Sequence, residues 1–343
     1  MNDLQSLFKS EGYLLEELLH HDEWGELYRA RYVPHGREVL FRRLLPGLAG
    51  DTAAWDLARA EVQAWARLDH PGILQVLDWG TTGPVDEGDE AGAAVEAFLT
   101  TEMPSGTRLD ALLGSRASAV EAGDPGGALP GDEAEGIFRA LLEAVEAACR
   151  WGVLHLGLSP SSVWVGPDGR VQVAGFGLWY VARDFPAYGR RDDPFLAPEQ
   201  LAGGRVSAGT DVYALAMLLV ELRCGAGAAR AVAGGAPLPR VLDEFACVLT
   251  RCFDPRPIAR YRSAGELSSA LNLDTGSAVP DAGMDECRDC PLCRLKGEIQ
   301  GDALRGEGRG GRTADGERAI PYAWLIVMAL AVACVVVWWM ALR

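Results

Sequence analysis

The sequence predicts an α+β fold of two lobes followed by a C-terminal transmembrane helix, and three observations predict it. Residues 13–104 read as short strands around one helix, residues 105–273 read as mostly helical, and residues 319–342 run without a charge. An uncharged run of that length spans a bilayer as a helix and seldom occurs in a soluble domain. At 343 residues the chain has room for one two-lobed body and some further segments.

Taken in order, residues 1–12 are a short leader without a signal-peptide pattern. The first lobe, 13–104, has its helix at 53–68, and residues 86–90 read as an acidic turn. In the second lobe a helix is expected over 132–150. Residues 114–131, rich in Ala, Gly and Pro, read as a flexible surface insertion. Residues 274–318 are a polar, Gly-rich linker of the flexible kind. In 319–342, Tyr322 and Trp324 at one end and Trp338 and Trp339 at the other supply interfacial belts. Arg305, Arg309, Arg312 and Arg318 precede the segment and only Arg343 follows it. The positive-inside rule then puts the body in the cytoplasm, on a single-pass anchor in the cytoplasmic (inner) membrane. Ala329 and Ala333 form a small-xxx-small pair through which a homodimer could form.

Composition narrows the partners. With 48 acidic against 32 basic residues the formal charge is -16, which argues against nucleic acid, whose phosphates demand basic patches. Eight cysteines in a cytoplasmic chain imply no disulfide framework, and Cys149, Cys224, Cys247 and Cys252 read as small buried apolar residues. Cys287, Cys290 and Cys293 are different. Their CxxCxxC spacing can turn three thiols toward one soft metal, zinc or an iron-sulfur cluster, if another protomer or a partner supplies a fourth ligand. The alternative is three linker thiols with no site.

The centre of the chain reads Gly152-Val-Leu-His155-Leu156-Gly157-Leu-Ser159-Pro-Ser-Ser162-Val-Trp164, then Gly175-Phe176-Gly177, then Ala197-Pro198-Glu199. Upstream stand Glu38-Val39-Leu40-Phe41-Arg42, then Glu61, then His70-Pro71. Downstream stand Asp211-Val-Tyr-Ala-Leu-Ala and Cys252-Phe-Asp-Pro255 with Arg260. In this order the segments resemble bacterial Ser/Thr protein kinases over roughly residues 13–272. The resemblance implies a two-lobe protein kinase-like fold.

It also implies where phosphoryl transfer would be carried out, and those positions have lost the side chains it needs. Gly157 stands where the family has its general base, Ser159 at the phosphate-steadying Lys, Ser162 at a magnesium-ligating Asn and Gly175 at the metal-binding Asp. Magnesium wants hard, preferably anionic oxygens, and this set offers a neutral hydroxyl. Arg42 takes the place of the ATP lysine. Its planar fork is no substitute for a compact ammonium, and a structural pair with Glu61 is expected instead. Of the Gly-rich loop only Gly25 remains, with Asp22 adding a charge that repels phosphate. Leu40 and Trp164 enlarge both faces of the adenine slot, and Thr101 before the hinge residue Glu102 does not offset them. The degenerate nucleotide pocket thus comprises Gly25, Leu27, Leu40, Arg42, Glu61, Thr101, Glu102 and Trp164. Leu156 replaces the phosphate-gripping Arg, and residues 175–199 hold no Ser or Thr to phosphorylate.

Framework positions are kept. By the resemblance, Trp65, Val76, His155 and Phe176 are the stacked residues that couple the lobes, Asp211 anchors His155, and Glu199 pairs with Arg260. A lone buried histidine is more often structural than catalytic. The leading expectation is a membrane-anchored pseudokinase, a scaffold or allosteric module. It would need no cofactor, and it would bind a protein such as an active kinase or a membrane complex. The alternative is a divergent Ser/Thr kinase that retains ATP and magnesium with weak activity, using Arg42, Glu61 and Ser162. A third reading is a metal- or redox-responsive adaptor working through Cys287, Cys290 and Cys293.

Overall fold

Residues 11–22, 24–82, 95–119, 127–179 and 193–273 are described by a computed structural model of the chain. In the first lobe, β1 (Tyr13–Asp22), β2 (Gly25–Tyr32) and β3 (Arg37–Leu44) follow one another as antiparallel neighbours. Side chains alternate between sheet faces, so Val39, Leu40 and Phe41 can all be buried in one stretch of β3. Leu40 faces the main core with Leu27, while Val39 and Phe41 join Tyr13, Ala30 and Phe98 on the other face. There the rings of Phe41 and Phe98 stack with centroids 5.4 Å apart.

Helix α1 (Thr52–Ala66) starts where the Asp51 carboxylate accepts the N–H groups of Ala53 and Ala54, satisfying two donors that a helix start leaves open. It lays Ala58, Val62 and Trp65 against the core. Strands β4 (Val76–Thr81) and β5 (Ala97–Glu102) complete a five-stranded sheet in the order β1-β2-β3-β5-β4.

The second lobe opens with β6 (Thr107–Arg108), α2 (Leu109–Ala119) and α3 (Gly131–Arg150). It continues through β7 (Val163–Val165), β8 (Val171–Val173), α4 (Pro198–Leu201) and α5 (Ala208–Cys224). Helices α6 (Ala228–Ala233), α7 (Ala246–Cys252) and α8 (Ala264–Ala270) close it. In α3 the buried residues Ile137, Phe138, Leu141, Leu142 and Val145 recur at helical spacing and form one apolar stripe. Helix α5 is buried on every side from Gly209 to Leu222, as expected of a helix at the centre of a lobe. Both expected lobes are present, and a cleft runs between the first-lobe sheet and the β7–β8 hairpin.

One local expectation is corrected. Residues 114–119, expected to be the start of a flexible insertion, are the second half of α2. Leu113 is buried there, Arg116 forms an ion pair with Glu133 at 2.9 Å, and Ser115 and Ser118 donate to the carbonyls of Leu112 and Gly114. Cys252 is fully buried, whereas Cys149, Cys224 and Cys247 are only half-buried. Among the described residues no helix is long and apolar enough to cross a membrane. Residues 319–342, the cysteines at 287, 290 and 293, residues 120–126 of the insertion, the acidic turn at 86–90 and most of the leader lie outside the described residues.

In the second lobe Arg260, almost wholly buried, donates to both oxygens of Glu199 at 2.9 and 2.8 Å. Thr210 Oγ1 donates to the same carboxylate at 2.7 Å, and Arg260 also donates to the Gly209 and Asp254 carbonyls. Burial works to raise the Glu199 carboxyl, but the donations from Arg260 and Thr210 hold it below the ordinary range. Replacing Glu199 with Ala strands a buried guanidinium. The expected loss is about 3–5 kcal/mol of unfolding free energy, read from urea denaturation.

Candidate functional site

The roof of the cleft is the β1–β2 hairpin. Asp22 lies opposite Gly25, so the reversal is only two residues long. Gly25 has φ +125°, and a Cβ there would collide with the Arg43 carbonyl oxygen, so only glycine fits. The turn throws Trp24 inward until it is 8 % exposed. Its backbone N–H donates to Asp22 Oδ1 at 2.8 Å, and Arg42 Nη1 donates to the same oxygen at 2.6 Å.

That ion pair corrects the expected partner of Arg42. Asp22 takes the guanidinium, and among the described residues Glu61 forms no ion pair. Glu61 faces Gly177 instead, where an added Cβ would lie 2.6 Å from its Oε2. Burial pushes the Glu61 carboxyl above its ordinary range, as for an acid without a compensating cation.

The indole of Trp24 crosses the cleft and rests on Gly157. A methyl group at Gly157 would lie 2.6 Å from Trp24 Cζ2 and 3.2 Å from Cη2. An aspartate therefore cannot occupy position 157 while the ring is in place. Leu40 and Trp164, both buried, line the same space, and what is left is a cavity of about 30 Å³. A site for a drug-sized ligand is about 300–1,000 Å³, so this remnant is on the scale of a bound water. Thr101 pairs across the sheet with Leu40 and donates its hydroxyl to the Glu102 carbonyl at 3.2 Å. The Glu102 side chain accepts from Gln172 Nε2 at 3.2 Å, which ties the hinge to β8.

On the floor, the hydroxyls of Ser159 and Ser162 are engaged locally, and that of Ser162 bonds the backbone. Ser162 donates to the Ser159 carbonyl at 2.8 Å and accepts the Ser159 N–H at 3.2 Å. The Ser159 hydroxyl lies 2.9 Å from that of Ser161. Gly175 has φ +95°, and an added Cβ would meet nothing closer than 3.8 Å, so a side chain is missing there although space exists. Among the described residues no three His, Cys, Asp or Glu side chains converge on a point that could hold a metal ion. A magnesium nucleotide needs anionic oxygens for the metal and volume for the purine. The residues present fit neither requirement.

Behind the cleft the framework positions converge. The rings of His155 and Phe176 lie 4.6 Å apart, and those of Phe176 and Trp65 lie 6.3 Å apart. Val76 is buried in the same core. Trp65 Nε1 donates to the Leu74 carbonyl, and His155 Nε2 is 3.0 Å from that of Ala174. Asp211, from α5, accepts the backbone N–H groups of His155 and Leu156 at 2.8 and 2.7 Å. Burial pushes His155 down to about 4, leaving it neutral.

The model of the protein kinase domain matches residues 23–251, more than half of the chain. The chain belongs to the protein kinase family. It is 25% identical over 298 residues to the serine/threonine-protein kinase PknH of Mycobacterium tuberculosis, a match covering 81% of this chain and 43% of that one. It is 27% identical over 226 residues to PknL of the same organism, covering 65% of this chain and 51% of PknL. The chain thus spans about half, or less, of the length of these relatives. The solved kinase domain of Mycobacterium tuberculosis PknI superposes with a TM-score of 0.58 at 25% identity, covering 78% of this chain and 96% of that domain.

Sequence reasoning missed Trp24 and the true partner of Arg42. The signal for Trp24 was there, a large ring in one loop and a glycine in place of a side chain in another, but nothing local joins two loops so far apart in the chain. Changing Arg42 to Ala strands the Asp22 carboxylate and should cost about 1–3 kcal/mol in urea unfolding. Glu61→Gln should move stability by less than about 0.5 kcal/mol. Equal losses for the two would restore the Arg42–Glu61 pair.

Proposed function

We propose that this member of the kinase family is a membrane-anchored pseudokinase, which signals by presenting a kinase-shaped surface to a protein partner and not by transferring phosphate. One observation carries the reading. The place of the general base and the purine slot are filled by the chain's own side chains, with Trp24 on Gly157 and only about 30 Å³ left beside Leu40 and Trp164. The absence of a base at Gly157, and of carboxylate or amide ligands at Ser162 and Gly175, supports the same reading. The named relatives are serine/threonine-protein kinases, so an active kinase or a membrane complex containing one is the partner class we propose. Anchoring rests on the uncharged run at 319–342 and the arginines before it.

Full-length protein in mild detergent should show no change in melting temperature with ATP or ADP, with or without magnesium. A competent site at ligand a hundredfold above its dissociation constant would add about 2.7 kcal/mol. A clear, magnesium-dependent shift would favour the divergent kinase. In cell fractionation the chain should sediment with membranes, and deletion of residues 319–342 should release it to the supernatant. Release of the undeleted chain by salt alone would count against a membrane span.

A further inference from the structure

We propose that Trp24 is an intramolecular latch that holds the two lobes closed without nucleotide, with Gly157 as its seat. The ring belongs to the first lobe and its seat to the second, so the contact bridges the cleft that a ligand would otherwise bridge. Four features of the molecule make it a built contact.

Trp24 is buried, at 8 % exposure, and belongs to the apolar core that continues through both lobes. A tryptophan buried in this way contributes more apolar contact than any other side chain could bring to the cleft. Its turn is fixed twice over, by Gly25 at φ +125° and by the Asp22 carboxylate, which binds both the Trp24 N–H and Arg42. Its seat is fixed from below by Asp211, which holds the N–H groups of the two residues before Gly157, and by Gln200 Nε2, which donates to the Leu156 carbonyl at 2.6 Å. Finally, the three heavy atoms nearest to an added Cβ at Gly157 all belong to Trp24. The backbone of Gly157 is outside the left-handed region, so a side chain there is resisted by the ring and not by the main chain.

The latch differs from mere loss of a catalytic residue. A kinase fold that closes around its ligand has an open form when the ligand is absent. Here the closing group is covalently part of the chain, so its effective concentration is high and independent of the cell's nucleotide pool. The surface offered to a partner then has one fixed lobe geometry. The proposal concerns how the lobes are held and stands apart from the question of phosphate transfer.

The test is a double-mutant cycle on the full-length chain in mild detergent: the parent, Trp24→Ala, Gly157→Ala and the double variant. With Trp24 present, Gly157→Ala should lower the melting temperature by at least about 3 °C, because one of two packed groups must move. In the Trp24→Ala background the same change should have no effect. Hydrogen exchange should show Trp24→Ala raising exchange in residues 20–27 and 155–162 together. If Trp24→Ala does not fold, Trp24→Phe serves, since it lacks the atoms that reach Gly157 but keeps an apolar ring. Equal effects of Gly157→Ala in both backgrounds, or exchange that rises in the hairpin alone, would overturn the latch. Nucleotide binding by the parent chain would instead count against the function proposed above, so the two failures are distinguishable.

Discussion

The cleft depends on the carboxylate of Asp211, at the first turn of α5, holding the N–H groups of His155 and Leu156. Leu156 has φ +63°, a conformation that costs a non-glycine residue free energy and persists only where its surroundings over-determine it. Two charge-assisted donations on one side and Gln200 on the other supply that determination. Burial pushes the Asp211 carboxyl up to about 6, against the lowering effect of the two N–H groups, so desolvation outweighs the hydrogen bonds in setting its proton affinity. Everything above it follows from this fixed loop. Gly157 is placed under the cleft, Trp24 finds a flat seat, and Asp22 fixes the turn that carries Trp24 while neutralising Arg42.

Volume has been redistributed in the cleft. Positions 24, 40 and 164 carry large side chains, and positions 157 and 175 carry none. Interiors are close-packed, so such exchanges are coupled where they touch and free where they do not. At Gly157 they touch: the indole occupies the volume a side chain would need. At Gly175 they do not, since the nearest atoms to an added Cβ are 3.8 Å away and only the backbone angle disfavours a side chain. The two glycines thus differ in their surroundings, one closed by a packing contact and the other open.

Much of the fold was legible because motif order carries topology: a strand with Arg42, a helix with Glu61, a loop at His155 and a buried helix at Asp211 place two lobes and the cleft between them. What was not legible depended on choosing among neighbours. Arg42 had two carboxylates within reach of its strand. The winner, Asp22, is the one whose hairpin register brings it over β3, which no motif states. Residues 114–119 look like loop by their small residues, yet Leu113, Arg116 and two backbone-bonded serines finish the helix. Trp24 reads locally as a turn residue, and only the position of Gly157 in space makes it part of the core.

Framework and chemistry are separable in this fold for a physical reason. Glu199, Arg260, Asp211 and the stacked rings of His155, Phe176 and Trp65 are buried, and removing any one strands a polar group or opens a cavity. The cleft positions are packed by other residues: Leu40, Thr101 and Trp164 are buried there. Where a replacement residue could be put to structural use, it has been. Ser162 and Ser159 close the turn before β7, Arg42 holds the hairpin through Asp22, and Leu40 and Trp164 extend the core into the slot. Core packing and ligand space compete for the same positions in this cleft, and Trp24, Leu40 and Trp164 take the volume that a nucleotide would need.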